Sequence, residues 1–189
     1  MSRALADAAL VQRIADRRPE ALSDLYDRYS PMLLALANRI LGGQAEAEDV
    51  VQETLLQVWH KASSYDPARS SVSTWLVLLA RSRSIDRLRT RKVGERTATA
   101  AHAETPRTHT SPRGPDDVLS RERQERVQRE LEALPAEQRQ VLELAFYGGL
   151  TQAEIAEQTG TPLGTVKTRT LLAMKKLRAA LREEIRELL

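Results

Sequence analysis

Between Thr165 and Arg178 the chain carries Lys167, Arg169, Lys175, Lys176 and Arg178 without a single acid. A cationic stretch of this kind suits a polyanion, and the interleaved Thr165 and Thr168 add hydroxyls and methyls able to meet base edges. A second basic run, Arg81, Arg83, Arg87, Arg89, Arg91 and Lys92, is interrupted only by Asp86. The opposite sign is gathered in Gln44–Glu53, where Glu46, Glu48, Asp49 and Glu53 stand without a base. Asp49 and Glu53 are one helical turn apart and could share a proton or hold a cation. On an open helical face they suit a protein partner better. Other chemistry lacks its residues. There is no cysteine, hence no thiolate zinc site and no disulfide, and His60, His102 and His109 are scattered. No glycine-rich phosphate loop, Ser-His-Asp set or Cys-His set occurs. The chain therefore reads as a binding protein with no enzymatic activity, no cofactor and no metal.

These residues need elements to position them. Hydrophobic residues make up 41% of the 189, Gly and Pro number only 8 each, and nothing alternates like a half-buried strand. The expectation is an all-α protein, two small helical domains joined by a flexible linker. Leu5, Leu10 and Ile14 mark a leading helix. A second opens at Pro19, carries Leu22, Leu25, Tyr26, Tyr29, Leu33, Leu36 and Ile40 on one stripe, and stops at Gly42-Gly43. Pro31 either kinks it or begins a new segment. The third helix, Ala45–Ala62, turns Ala47, Val51, Thr54, Leu55 and Val58 inward and Asp49, Gln52, Glu53, Leu56 and His60 outward. Leu56, beside carboxylates and an amide, forms the centre of a small docking patch.

Ser63–Ser71 reads as a loop, followed by a helix from Val72 to Lys92 with Trp75, Leu78, Leu79, Ile85 and Leu88 buried. Val93–Asp117 is rich in Ala, Thr, Pro and Arg and holds one large aliphatic residue, Val93, too little to offset the entropy of ordering. It divides the chain into 1–92, a linker 93–117, and 118–189. In the last part Thr151-Gln-Ala-Glu154 is a capping box that starts a short helix with Ala153, Ile155 and Ala156 inward, ended by Gly160. Thr161 is expected to cap a further helix with Pro162 at its first position. Two helices across so tight a turn, the second basic, make a helix-turn-helix. Its second helix would offer Thr165, Lys167, Thr168 and Arg169 to base edges, and Lys175, Lys176 and Arg178 to phosphates.

The segment Leu150–Leu181 (LTQAEIAEQTGTPLGTVKTRTLLAMKKLRAAL) resembles region 4 of the extracytoplasmic-function sigma factors, the smallest sigma-70 relatives. Leu25–Trp59, with its phrase DVVQETLLQVW, resembles their region 2, and Trp75–Arg89 (WLVLLARSRSIDRLR) its promoter-reading helix. The resemblance implies an alternative sigma factor that directs promoter-specific transcription. It implies that Asp49, Gln52, Glu53 and Leu56 dock on the clamp helices of the largest subunit of core RNA polymerase. Tyr65, Arg69, Ser73, Ser82, Arg83 and Arg87 would engage the −10 element and capture a flipped base, and the linker would run toward the RNA exit path. Thr165, Lys167, Thr168, Arg169, Lys175 and Lys176 would serve the −35 element. Family members often carry Asn where this chain has Ser82, and Arg where it has Leu172 and Met174. An anti-sigma factor is the further partner implied.

Ser63–Lys92 holds only Tyr65 and Trp75 as aromatics, which implies reliance on a well-matched promoter. The competing reading is a helix-turn-helix regulator that binds an operator alone, commonly as a dimer. With no apolar run of about 18 residues, the expected place is the cytoplasm, with no direct membrane insertion.

Overall fold

The computed structural model describes residues 3–98 and 118–182. Their regular elements are all helices, without a strand among the described residues. The chain divides between Pro115 and Asp116 into two compact units.

The first unit holds α1 (Arg3–Ala15), α2 (Pro19–Leu41), α3 (Gln44–Lys61), a 3-10 turn (Ala62–Ser64) and α4 (Val72–Ala98). Pro31 neither ends nor restarts a helix: α2 runs through it to Gly42, which takes the left-handed conformation (φ 75°) and donates its N–H to the Asn38 carbonyl at 2.8 Å. The stripe Leu25, Tyr29, Leu33 of α2 meets Leu10, Val11 and Ile14 of α1, Val51, Leu55 and Val58 of α3, and Leu76 and Ala80 of α4 in one core. Tyr26 of the expected stripe is instead exposed. Leu78, expected inside, is 55% exposed, and its place in the core is taken by Leu76. The reason is phase: with Val72, Leu76 and Ala80 buried at every fourth position, residue 78 points away from that face. Polar groups within the core satisfy themselves along the helix, as Thr54 Oγ1 donates to the Val50 carbonyl (2.7 Å) and Ser84 Oγ to that of Ala80 (2.8 Å).

The join between α1 and α2 is made by Arg17 in the left-handed region (φ 62°), a conformation that costs a non-glycine residue roughly 1–2 kcal/mol. Its side chain supplies an offset, donating to the Trp59 carbonyl at 2.9 Å with the guanidinium 5.3 Å above that indole ring. Farther along α1, the buried Asp7 carboxylate accepts from both Arg28 and Tyr29 of α2. α4 runs on past Lys92 to Ala98, so the helix enters the segment expected to be linker. The rest of that segment, 99–117, lies outside the described residues.

The second unit consists of α5 (Val118–Glu132), α6 (Ala136–Phe146), α7 (Gln152–Thr159) and α8 (Leu163–Ala180). Among the described residues one core cluster gathers Val141, Ile155 and Val166, with Leu144, Ala145, Leu150 and Ala156 packed around them, and Leu134 and Ala173 are buried as well. Between α6 and α7 the chain turns tightly at Gly148, where a Cβ would come within 2.6 Å of the Leu144 carbonyl oxygen, and at Gly149 (φ 63°).

Replacing Asp7 with Ala leaves the Tyr29 hydroxyl without its buried acceptor and should lower the unfolding free energy by about 1–3 kcal/mol. Urea denaturation of the full chain measures this. Asp24→Ala, which removes only an exposed 3.7 Å pair with Arg13, should stay within about 0.5 kcal/mol.

Candidate nucleic-acid interface

In the second unit the short helix α7 is fixed at both ends by local chemistry. The Glu154 N–H donates to Thr151 Oγ1 (3.2 Å) and the Thr151 N–H to Glu154 Oε2 (2.7 Å), the reciprocal capping box expected from the sequence. Gly160 closes the helix in the left-handed conformation (φ 63°). The next start differs from expectation: α8 begins at Leu163, Pro162 takes the position before it, and the Thr161 hydroxyl turns back to the Thr159 carbonyl (3.5 Å). Ala153 is exposed; Ile155 alone of α7 is fully buried.

α8 packs Val166 and Ala173 inward and leaves Thr165, Lys167, Thr168, Lys175, Lys176 and Arg178 exposed, with Arg169 half-buried on the flank. The Thr168 hydroxyl spends its proton on the Gly164 carbonyl (2.9 Å), which leaves its lone pairs and methyl to the outside. Beside Gly164 a Cβ would meet nothing within 4 Å, so the start of α8 is open to close approach.

In the first unit the acidic face of α3 lies against the basic side of α4. Arg83 donates from Nη1 to Glu53 Oε2 (3.0 Å) and from Nε to Gln57 Oε1 (2.9 Å). Arg87 reaches Glu53 Oε1 (2.9 Å), Asp49 Oδ2 (3.1 Å) and the Glu46 carbonyl (3.2 Å). Arg91 bonds Glu46 Oε2 (2.8 Å) and the Leu41 carbonyl (3.0 Å). Residues assigned by sequence to two different partners, Asp49 and Glu53 on one side, Arg83 and Arg87 on the other, thus bind each other. Glu46 and Arg91, noted from the sequence only as members of charge runs, and Gln57, which was not noted, complete the ladder. Their signal was present: Glu46, Asp49, Glu53 and Gln57 recur at helical spacing on α3, and Arg83, Arg87 and Arg91 one turn apart on α4. Gln52 and Leu56 lie outside the ladder and are exposed, Leu56 by 59%.

The loop ahead of α4 is built around Tyr65. Its ring lies 5.1 Å from that of Trp75 at 39°, and its hydroxyl donates to the Ser70 carbonyl (2.8 Å). Burial pushes the phenol's pKa up, and the nearby charges of Asp7 and Asp66 add to the shift. Asp66 Oδ1 accepts the Ala68 N–H (2.9 Å), and Arg69 is exposed beside it. Ser71 Oγ accepts the Thr74 N–H (3.2 Å) and lies 3.1 Å from Ser73 Oγ, so Ser73 belongs to the cluster that caps α4. Ser82 is exposed on α4, one turn from the exposed Leu78. Among the described residues no group of three or more His, Cys, Asp or Glu side chains gathers as a metal site. No described helix is long and apolar enough to cross a membrane.

Residues 25–93 match the family model for Sigma-70 region 2, and residues 124–177 that for Sigma-70, region 4. A chain with both units in this order is a sigma-70-type transcription initiation factor. The ECF RNA polymerase sigma factor SigK of Mycolicibacterium vanbaalenii is 34% identical over 176 residues, covering 92% of this chain and 88% of that protein. The ECF RNA polymerase sigma factor RpoE of Cereibacter sphaeroides is 34% identical over 171 residues, covering 90% and 92%. Among solved structures, Rhodobacter sphaeroides SigE in complex with the anti-sigma ChrR is 32% identical, covering 92% of this chain and 97% of that one at a TM-score of 0.47. The chain belongs to the ECF sigma factors.

In the second unit the caps of α7 set where this short helix begins and ends. Thr151→Ala should cost about 1 kcal/mol of that unit's stability. Faster amide exchange in α7, with rates in α2 unchanged, is the expected readout.

Proposed function

We propose that this alternative sigma factor grips core RNA polymerase through the outward face of α3 and the promoter through α4 and α8. The observation that carries the reading is the coexistence in one chain of a region 2 unit with an exposed Leu56 on an acidic helix and a region 4 unit with a basic helix-turn-helix. Gln52 and Leu56 supply the apolar and amide contacts of docking, and Asp49 and Glu53 its charge, with the clamp helices of the largest subunit as the surface met. The region 2 unit, 1–92, is followed by the connector 93–117, whose first residues prolong α4, and by the region 4 unit, 118–189.

At the −10 element we assign the exposed Arg69 and Ser82 to the strand itself, and Tyr65 and Ser73 to holding the loop that meets it. Arg83 and Arg87 serve the same element from the ladder. A hydroxyl at position 82 is shorter than the amide common in the family and reaches a smaller part of a flipped base. At the −35 element Thr165, Lys167, Thr168 and Arg169 face the major groove while Lys175 and Lys176 hold phosphates. The factor acts by binding, without catalysis of its own, in the cytoplasm where polymerase works. Because a solved relative is held by an anti-sigma protein, we extend that kind of partner to this chain.

Reconstitution with core polymerase tests the reading. The chain should co-elute with core enzyme and give a promoter-specific transcript; failure of both refutes it. Glu53→Lys is a poor probe of docking, since it would place a cation against two guanidiniums. Leu56→Asp is cleaner: it should leave the melting curve unchanged and weaken core binding by about 30-fold, corresponding to a hot spot of about 2 kcal/mol.

Arg169→Ala should reduce discrimination between matched and mismatched −35 sequences by about 1–3 kcal/mol in competition binding. An equal loss on every sequence makes Arg169 a phosphate contact instead.

A further inference from the structure

Glu53 has both carboxylate oxygens committed to α4, Oε2 to Arg83 at 3.0 Å and Oε1 to Arg87 at 2.9 Å. Two guanidiniums converging on the oxygens of one anion is also how arginine pairs hold a phosphate. The same arginines, with Asp86 and Thr90, line an open hollow of about 260 Å³ beside Glu53, room enough for a tetrahedral anion. None of the three charged side chains is deeply buried: Glu53 is 41% exposed, Arg83 33% and Arg87 29%. An anion can therefore replace the carboxylate without the large desolvation cost of a buried pair.

We propose that the Glu53 carboxylate is an internal competitor for promoter phosphate. In the free protein it occupies the Arg83–Arg87 pair. When α3 meets a basic polymerase surface, Glu53 shifts toward that surface and a backbone phosphate of the melted −10 strand takes its place. The exchange rests on the docking and −10 assignments made above and gives them a physical link. By reciprocity, the factor by which polymerase raises affinity for the strand is the factor by which the strand raises affinity for polymerase. Arg83 and Arg87 then contact phosphate only in the assembled state, and in the free protein they hold α4 in register with α3.

The test compares charge-removing variants of the full chain, without polymerase, in their binding to a short fluorescent single-stranded oligonucleotide of mixed sequence. Glu53→Gln should raise affinity about two- to tenfold by removing the carboxylate that Arg83 and Arg87 share, although Arg87 keeps its pair with Asp49. Glu48→Gln removes the same charge from the same helix, at a carboxylate that accepts from Gln44 (2.8 Å), and should give a clearly smaller gain. Arg83→Gln with Arg87→Gln in the Glu53→Gln background should erase the gain. Equal gains at positions 48 and 53, or none at 53, overturn the competition. Should Glu53→Gln fail to fold, the wild-type chain decides: titration with inorganic phosphate should move the Arg83 and Arg87 Nε resonances together with the Glu53 carboxyl carbon, and static resonances overturn it. Loss of the docking assignment would show separately, as unchanged core binding in Leu56→Asp, and leaves the polymerase-free comparison standing.

Discussion

Arg87 donates to the side chains of Glu53 and Asp49 and to the carbonyl of Glu46, and around it the seam between α3 and α4 is organised. Apolar packing of Val51, Leu55 and Val58 on one side and Leu76 and Ala80 on the other brings the helices together but is tolerant of sliding. The charges are not. From Glu46–Arg91 through Asp49–Arg87 to Glu53–Arg83 the pairs run in opposite directions along the two helices, so a slip of half a turn would unmatch them together, while a full turn would re-pair the middle and strand an end. Each pair is partly exposed and contributes only about 0.2–1 kcal/mol. Their joint effect is on register more than on stability, and register decides which residues of α4 face outward.

That constraint divides the surface of the first unit. Charges that neutralise each other at the seam are engaged within the free protein before any partner is met, so the modest net charge of +3 conceals two faces already matched to each other. Beside exposed charges such as Glu48, Arg89 and Lys92, the ladder leaves outward residues of a different kind: Gln52 and Leu56 on α3, Leu78 and Ser82 on α4. The second unit follows another logic. Its core rests on Val141, Ile155 and Val166, and its helix ends are set by a capping box and left-handed glycines. Cap energies of about 1 kcal/mol weigh heavily against the roughly 5–15 kcal/mol by which small domains are stable. No acid stands on α8 opposite its lysines, so its charge remains available to an external polyanion.

Local signals were legible in the sequence and long-range pairing was not. The capping box at Thr151, the glycine closures at Gly42 and Gly160 and the inward face of α3 depend on neighbours within a turn, and all are in the structure as read. Errors arose where tertiary packing chose between nearly equal local options. Of the two options at Pro31, a new segment is excluded because α2 continues through it, with packing on both sides to hold the helix. Leu78 and Ala153 look apolar enough to be buried, but the phase set by Leu76 and Ile155 turns them outward. The acidic and basic runs were read separately as surfaces for separate partners, since sequence spacing cannot say that residues 30 or more positions apart face each other. Matching helical periods in two runs of opposite sign was the available hint.

The two aromatics of the loop and early α4 show how packing narrows function. Strand melting is helped by aromatic faces on which released bases can stack, each worth about 1–3 kcal/mol. Here Tyr65 and Trp75 lie against each other, and the Tyr65 hydroxyl is spent on the Ser70 carbonyl. Their rings support the loop from within instead of offering two open platforms. Under the −10 assignment proposed above, binding of a melted strand would then draw on hydroxyls such as Ser82 and on the guanidiniums of α4. Hydroxyl contacts depend on the base presented, while guanidinium contacts to phosphate do not. A protein that has committed its aromatics to structure thus leans on base identity at few positions and on charge at the rest, and the charge at two of those positions is held by Glu53.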